Sequence, residues 1–257
     1  MDLTLVVLAS ASLSSFLSGL LGIGGALVLT PLLLYMPQAV GASALSVKLV
    51  TGLSIVQAIS GSLFGLRRHH GYGHVSVPTL RVMGPSIAAA SLVGALVSRD
   101  TSDRVLLAVF AALALLAAIG LLLPERSQDA PTSDLQVSVP LAVAIAVALG
   151  FFGGMVGIGG IAFIIPALIP LLRFPARVAI GTSLGVGFFG AAAALVGKAA
   201  TAQIEPVLGA LVFLSALVIS PLGAAVSVRT PTRALTTVLA VIVVAAALRI
   251  AWSAAVP

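Results

Sequence analysis

Residues 16–33 read FLSGLLGIGGALVLTPLL, and residues 151–168 read FFGGMVGIGGIAFIIPAL. Both stretches contain the tetrapeptide GIGG in the middle of a long apolar run, at an offset of 135 positions. Each glycine costs a helix interior about 1 kcal/mol relative to alanine, so three glycines in four positions predict a break in the helix. The two stretches therefore predict a duplicated helical element that is interrupted at the same place in both copies.

A second pair of matching blocks supports the duplication. SLVGALVSRDTSDRVL (91–106) resembles SPLGAAVSVRTPTRAL (220–235), and the two pairs follow the same order along the chain. The polar, proline-punctuated stretch 124–137 between them is typical of a linker. We therefore assign residues 1–123 to an N-terminal repeat and 138–257 to a C-terminal repeat within a single membrane domain.

The composition predicts that the chain resides in a lipid bilayer. Of 257 residues, 60% are hydrophobic and 8% are charged, against roughly a quarter charged in soluble domains. A helix needs about 20 apolar residues to cross a bilayer. The sequence has eight long apolar runs: 3–36, 44–66, 77–98, 105–123, 138–171, 179–197, 206–228 and 234–252.

Several functional classes are disfavoured by the residues present. The chain has no cysteine, and its net charge of +6 comes from basic residues scattered at helix ends rather than clustered on one face. Neither thiolate chemistry nor nucleic-acid binding is predicted. No acid, base and nucleophile converge, so we predict no enzyme. The leading hypothesis is a transporter of a small anion. The alternative is a transporter or channel for another anion, a neutral solute or a cation.

The basic residues also bear on topology. If all eight segments cross the membrane once, the thirteen basic residues divide seven to six between its two sides. If segments 1 and 5 instead turn back at their glycines, the division is eight to five, which agrees better with the positive-inside rule. We therefore predict an all-α integral membrane protein of two inverted repeats, each a glycine-broken hairpin plus three transmembrane helices. The alternative, in which segments 1 and 5 each cross the membrane once, stays open.

A family resemblance rests on these motifs. GLLGIGGALVLTPLL, its echo GMVGIGGIAFIIPAL and GTSL at 181–184 resemble the sulfite exporter family of permeases, also called TauE/SafE. The resemblance implies export of sulfite or organosulfonates, and a central site at the glycine turns with Thr182 and Ser183. The first half has Ser43 and Ala44 where the second has Thr182 and Ser183, so the site need not be symmetric.

The glycine turns are the predicted substrate site. Where a helix restarts after a break, its first backbone N–H groups lack intrahelical partners and its dipole favours an anion. Broken helices at matching places in two halves are a sequence indicator of a transport site. The alternative is that the glycines only permit close packing or a kink. The glycines concerned are Gly22, Gly24, Gly25, Gly157, Gly159 and Gly160.

Lys48 is the predicted charged contributor, because a cation within a membrane segment is a functional candidate. Its alternative role is to extend to the interface, as long side chains do near helix ends. Ser43, Thr51, Ser54 and Gln57 are assigned to the same helix, at a spacing that lets only some of them line one cavity.

The remaining expectations concern partners and location. The RRHHGYGH stretch (67–74) contains all three histidines, but a basic cytoplasmic loop explains it better than a metal site. No metal and no cofactor are predicted. The expected partners are a small anionic substrate and the lipid bilayer, and a homodimer is left open. The eight apolar segments predict a multi-pass protein, and the high alanine content favours a bacterial inner membrane.

Overall fold

The computed structural model describes residues 2–21, 25–70, 75–122, 138–172, 174–227, 241, 244–245 and 247–250. This part of the chain is helical and contains nine long helices. They are α1 Leu3–Leu21, α2 Ala26–Ala39, α3 Val47–His70, α4 Val77–Val97, α5 Asp103–Leu122, α6 Val139–Val156, α7 Ile161–Leu172, α8 Ala176–Ala200 and α9 Pro206–Ser227.

The prediction of a helical membrane protein is confirmed. Five of the described helices, α1, α4, α6, α8 and α9, are long and apolar enough to cross a membrane. Many large hydrophobic side chains on them face outward, such as Val207 and Val218, which are 64% and 61% exposed. Such faces suit a lipid environment, since lipid tails are as apolar as the side chains. Most of the predicted eighth segment lies outside the described residues.

Both long apolar segments are interrupted at their glycines. The first is divided into α1, which ends at Leu21, and α2, which begins at Ala26. The second is divided into α6 and α7 around Gly157–Gly160. Because three glycines fall within each interruption, the local helix propensity is too low to continue either helix.

One predicted boundary is wrong. The second segment begins as a helix only at Val47, so Ser43 lies in the preceding loop and not on the helix that carries Thr51. The same helix continues to His70, four residues beyond the end of the apolar run at 66. The run of apolar residues marks what a membrane would cover, whereas a helix continues as long as its backbone hydrogen bonds do.

Small residues let α4 and α6 approach until their backbones touch. A Cβ on Gly94 would lie 2.0 Å from the carbonyl oxygen of Phe151, and one on Gly154 would lie 2.2 Å from that of Ser91. Ser91 Oγ also donates a hydrogen bond to the Gly150 carbonyl at 3.0 Å. This is the close packing that small residues provide between membrane helices.

The same crossing recurs between α1 and α9 at the duplicated positions. A Cβ on Gly223 would lie 2.0 Å from the Phe16 carbonyl oxygen, and one on Gly19 would lie 1.9 Å from that of Ser220. In the repeats, Gly223 corresponds to Gly94 and Ser220 to Ser91, while Phe16 corresponds to Phe151 and Gly19 to Gly154. Each crossing joins one helix of the first half to one of the second, so the two halves interlock.

The helices α3 and α8 pack against each other in opposite directions. Lys198, near the end of α8, bonds to Thr51 near the start of α3. Ser76, just beyond α3, bonds to Thr182 near the start of α8 at 3.0 Å. The two helices occupy equivalent positions in the two repeats, and both glycine turns lie against α3.

Candidate glycine-turn site

The turn between α6 and α7 requires glycine. Gly157, Gly159 and Gly160 have φ angles of 75°, 66° and 79°, a region that costs other residues roughly 1–2 kcal/mol. The backbone N–H groups of Ile158 and Gly159 both donate to the Gly153 carbonyl, at 2.9 and 3.3 Å. These bonds end α6 before α7 starts at Ile161.

This second turn is enclosed by protein. A Cβ on Gly157 would lie 1.8 Å from the Thr51 carbonyl oxygen, and one on Gly159 would lie 2.9 Å from Ala191 Cβ. Gly160 has more room, since the nearest atom to its Cβ would be the flexible Ile87 Cδ1 at 3.2 Å. The α3 and α8 helices thus hold the turn on two sides, and the space beside Gly160 is the least crowded.

The turn between α1 and α2 is described only at Gly25, because Gly22 and Gly24 lie outside the described residues. Gly25 has a φ angle of 68° and immediately precedes α2. Its carbonyl accepts a hydrogen bond from Ser14 Oγ at 2.9 Å. A Cβ at Gly25 would lie 2.8 Å from Gln57 Nε2, so this turn also contacts α3.

Buried hydroxyl and amide groups surround the first turn. Gln57 Nε2 donates to Ser15 Oγ at 3.1 Å, and the hydroxyls of Thr30 and Ser54 are 2.8 Å apart. All four residues are buried. At the second turn, the α8 residues in contact are Gly190 and Ala191, which have no polar side-chain atoms. The two turns therefore share a φ-positive glycine directly before the second helix, Gly25 or Gly160, in different surroundings.

Lys198 is the charged residue that the sequence interpretation missed. Its side chain is fully buried, and Nζ lies within 2.8–2.9 Å of four acceptors. They are Thr51 Oγ1, Ser98 Oγ, the Met155 carbonyl and Gln203 Oε1. Met155 is in the last turn of α6, where a cation is favoured by the helix dipole.

The signal for Lys198 in the sequence was its position near the end of an apolar run, which is equally typical of a lysine that extends to the interface. The backbone after α8 decides otherwise. Gln203 N–H donates to the Lys198 carbonyl and Ala202 N–H to that of Ala199, the pattern of a Schellman motif. The chain folds back there, and the Gln203 amide reaches Lys198.

Lys48 lies at the protein surface on the same side. It is half-buried, and its Nζ donates to the Arg99 carbonyl. It lines an open cleft of about 700 Å³ together with Arg99, Asp100, Gln203 and Glu205, among others. The carboxylate of Glu205 accepts hydrogen bonds from the Val207 and Leu208 N–H groups at the start of α9.

The other predicted site residues are dispersed. Ser43 is exposed in the loop before α3, whereas Thr51 joins Lys198 and the second turn. Thr182 accepts a hydrogen bond from Ser76 N–H, and Ser183 donates to the Ile180 carbonyl of its own helix at 2.8 Å. At 1.5 Å rise per residue, Thr182 is about 24 Å along α8 from Lys198. Thr182 and Lys198 therefore belong to opposite ends of the helix.

Comparison with known proteins identifies the family of this chain. The family model "Sulfite exporter TauE/SafE" matches residues 7–250. The chain belongs to the TauE/SafE family. The glycine turns and the interlocked crossings described above all fall within the matched residues, so the family resemblance of the motifs is confirmed.

Curated relatives agree on membrane transport. A "Probable membrane transporter protein" of Xylella fastidiosa is 32% identical over 72% of this chain and 70% of its own length. One of Haemophilus influenzae is 28% identical over 64% and 62%, and "Probable membrane transporter protein YunE" of Bacillus subtilis is 26% identical over 66% and 68%. No solved structure matches the chain significantly. This TauE/SafE member is a multi-pass membrane protein of a transporter family, and its bacterial relatives are consistent with an inner membrane.

Within the described residues, no three His, Asp or Glu side chains gather as a metal-binding group. Of the histidine-containing stretch 67–74, residues 67–70 continue α3 and the remainder lies outside the described part of the chain.

Proposed function

We propose that the protein exports a small sulfur-containing anion, such as sulfite or an organosulfonate, and binds it at the glycine turns. The observation that carries this proposal is the second turn, where three φ-positive glycines within four positions, Gly157, Gly159 and Gly160, interrupt a long apolar segment. The name of the matching family supports the substrate class.

The chemistry of the turn suits an oxyanion. The N–H groups of Phe163 and Ile164 donate to the Gly160 carbonyl, so the N–H groups of Ile161 and Ala162 precede the first intrahelical bonds of α7. The positive end of the α7 dipole also lies at the turn. Anions bind at such helix starts without a charged side chain. Because Gly160 has no Cβ and its nearest neighbour is the end of the flexible Ile87 side chain, an oxygen atom can approach the backbone there when that side chain moves aside.

We further propose that the two repeats are inverted in the membrane. Two equivalent helices that run in opposite directions, as α3 and α8 do, are related by an axis perpendicular to them. The positions of Lys48 and Lys198 support the hairpin topology too. Both lie at the Arg99 end of the protein, whereas eight single crossings would put them on opposite sides.

Flux measurements in proteoliposomes test the proposed function. We expect saturable flux of labelled sulfite or sulfoacetate, with and without a proton gradient. Gly160→Ala should reduce the affinity at least tenfold because its methyl group blocks the approach to the α7 N–H groups. Gly209→Ala in α9 is the matched control, since its Cβ would meet only side-chain atoms, of Ile204 at 3.2 Å and of Val56 at 3.9 Å.

The result that would refute the proposal is absence of flux for every sulfur-containing anion in a folded preparation that transports a neutral solute or a cation. Wild-type affinity in folded Gly160→Ala would instead refute the turn as the binding site.

A further inference from the structure

Lys198 has no partner of opposite charge in the described part of the chain. Its four contacts are two hydroxyls, one backbone carbonyl and one side-chain amide, all of them neutral. A buried ammonium normally requires an opposite charge to offset its desolvation. Glu205 lies nearby in the cleft, but its carboxylate is bonded to the α9 N–H groups. The charge of Lys198 is therefore available to an anion.

The coordination of Lys198 also allows exchange. An ammonium has three N–H donors, whereas Lys198 has four acceptors within 2.9 Å. One acceptor can leave without stranding a donor. Gln203 is the best candidate, since its Nε2 keeps a hydrogen bond of 2.8 Å to Thr201 Oγ1 when its Oε1 is displaced.

Gln203 also separates Lys198 from the cleft. Gln203 is 5% exposed and lines the 700 Å³ cleft, while Lys198 lies beneath it. On the far side of Lys198, Thr51 and Met155 adjoin the second glycine turn. Contacts thus lead from the cleft at the surface, through Gln203 and Lys198, to the turn that is the proposed substrate site.

We propose that Lys198 is an anion-binding residue at the inner end of the cleft, where an oxyanion replaces the Gln203 Oε1 as its acceptor. Lys48 and Arg99 line the cleft and offset the negative charges of Asp100 and Glu205 there, so that an anion can enter. The inference rests on the proposed function for the choice of sulfite as the probe and for the direction in which the bound anion is transported. The binding site itself requires only that the ligand is a small oxyanion.

Two variants of the full-length protein test the proposal. Gln203→Glu places a tethered carboxylate on Lys198, so it should preserve or raise Tm while competing with the ligand. Lys198→Gln removes the charge and should abolish saturable binding. Labelled sulfite binding to purified protein, and the rise in Tm with sulfite, sulfate or methanesulfonate, are the measurements, with dimethyl sulfone as the neutral probe.

Matched controls are available in the chain. Gln38→Glu adds the same charge at an exposed position at the end of α2, and Arg104→Gln removes an exposed cation outside the cleft lining. Both should bind sulfite as the wild type does. The expected result is at least a tenfold loss of affinity in Gln203→Glu, which decides the question even where Lys198→Gln fails to fold.

Wild-type affinity in folded Gln203→Glu would overturn the proposal and leave the proposed function intact. Conversely, a wild-type protein that ignores sulfur-containing anions but is stabilised by phosphate, with the effect lost in Gln203→Glu, would refute the proposed function and support the Lys198 site.

Discussion

The α-carbon of Gly94 lies against the carbonyl oxygen of Phe151, so that a Cβ on Gly94 would be 2.0 Å from that oxygen. No rotamer can relieve such a contact, because both groups belong to the backbone. Gly94→Ala and Gly223→Ala should each destabilise the protein by roughly 1–3 kcal/mol, as overpacking does. The measurement is Tm in detergent.

The control for these variants is Gly84→Ala, whose Cβ would meet the ring of Phe189 at 3.3 Å. There the gain in helix propensity should balance the contact. Equal melting temperatures for Gly84→Ala, Gly94→Ala and Gly223→Ala would contradict the interlocked crossings.

Thr182 is expected to act in folding rather than in binding. Its hydroxyl accepts the Ser76 N–H at the start of α4, and Thr182→Val would leave that buried donor unpaired at a cost of about 1–3 kcal/mol. Thr182→Ser retains the acceptor and is the control. A folded, stable Thr182→Val with reduced sulfite affinity would restore the role that the family resemblance implies for this residue.

Lys48 is expected to assist anion capture from the cleft mouth. Lys48→Gln should reduce sulfite flux at low substrate concentration by a few-fold and should lose most of its effect in high salt, because surface charges are screened. Lys48→Arg should retain part of the flux. Unchanged flux in Lys48→Gln at low ionic strength would show that Lys48 only reaches the interface.

Ala202 is strained in the native state and its replacement should be stabilising. Its φ angle is 53°, and it holds the position of a Schellman motif that glycine usually occupies. Ala202→Gly should raise Tm by relieving a strain of about 1 kcal/mol. Ala199→Gly, on an exposed face of the α8 helix, should lower Tm by a similar amount. A drop in Tm for both would argue against the motif.

Accessibility of engineered cysteines tests the inverted topology, and the absence of native cysteine makes the labelling specific. Ser102→Cys and Ser127→Cys should react with an impermeant reagent from opposite sides of the membrane, with position 102 external and position 127 cytoplasmic. Reaction of both from the same side would be incompatible with inverted repeats.

The sequence by itself determined the helical membrane class, the duplication and the positions of the helix breaks. These follow from local properties: apolar run length, recurring residues and the cost of glycine in a helix. It also identified Gly94 and Gly223 as matched positions, but only the tertiary structure paired them with Phe151 and Phe16 across the two halves.

Which polar residues meet depended on the tertiary structure. Lys198 and Thr51 are 147 positions apart, and nothing local distinguishes Lys198 from a lysine at an interface. Its burial follows from the antiparallel packing of α3 on α8 and from the chain reversal at Ala202. Conversely, Ser43 and Thr182 match in the repeat alignment, yet one is exposed in a loop and the other supports α4. Periodicity fixes what a residue's own helix does, whereas a site joins residues from several helices, and only their packing decides which side chains meet.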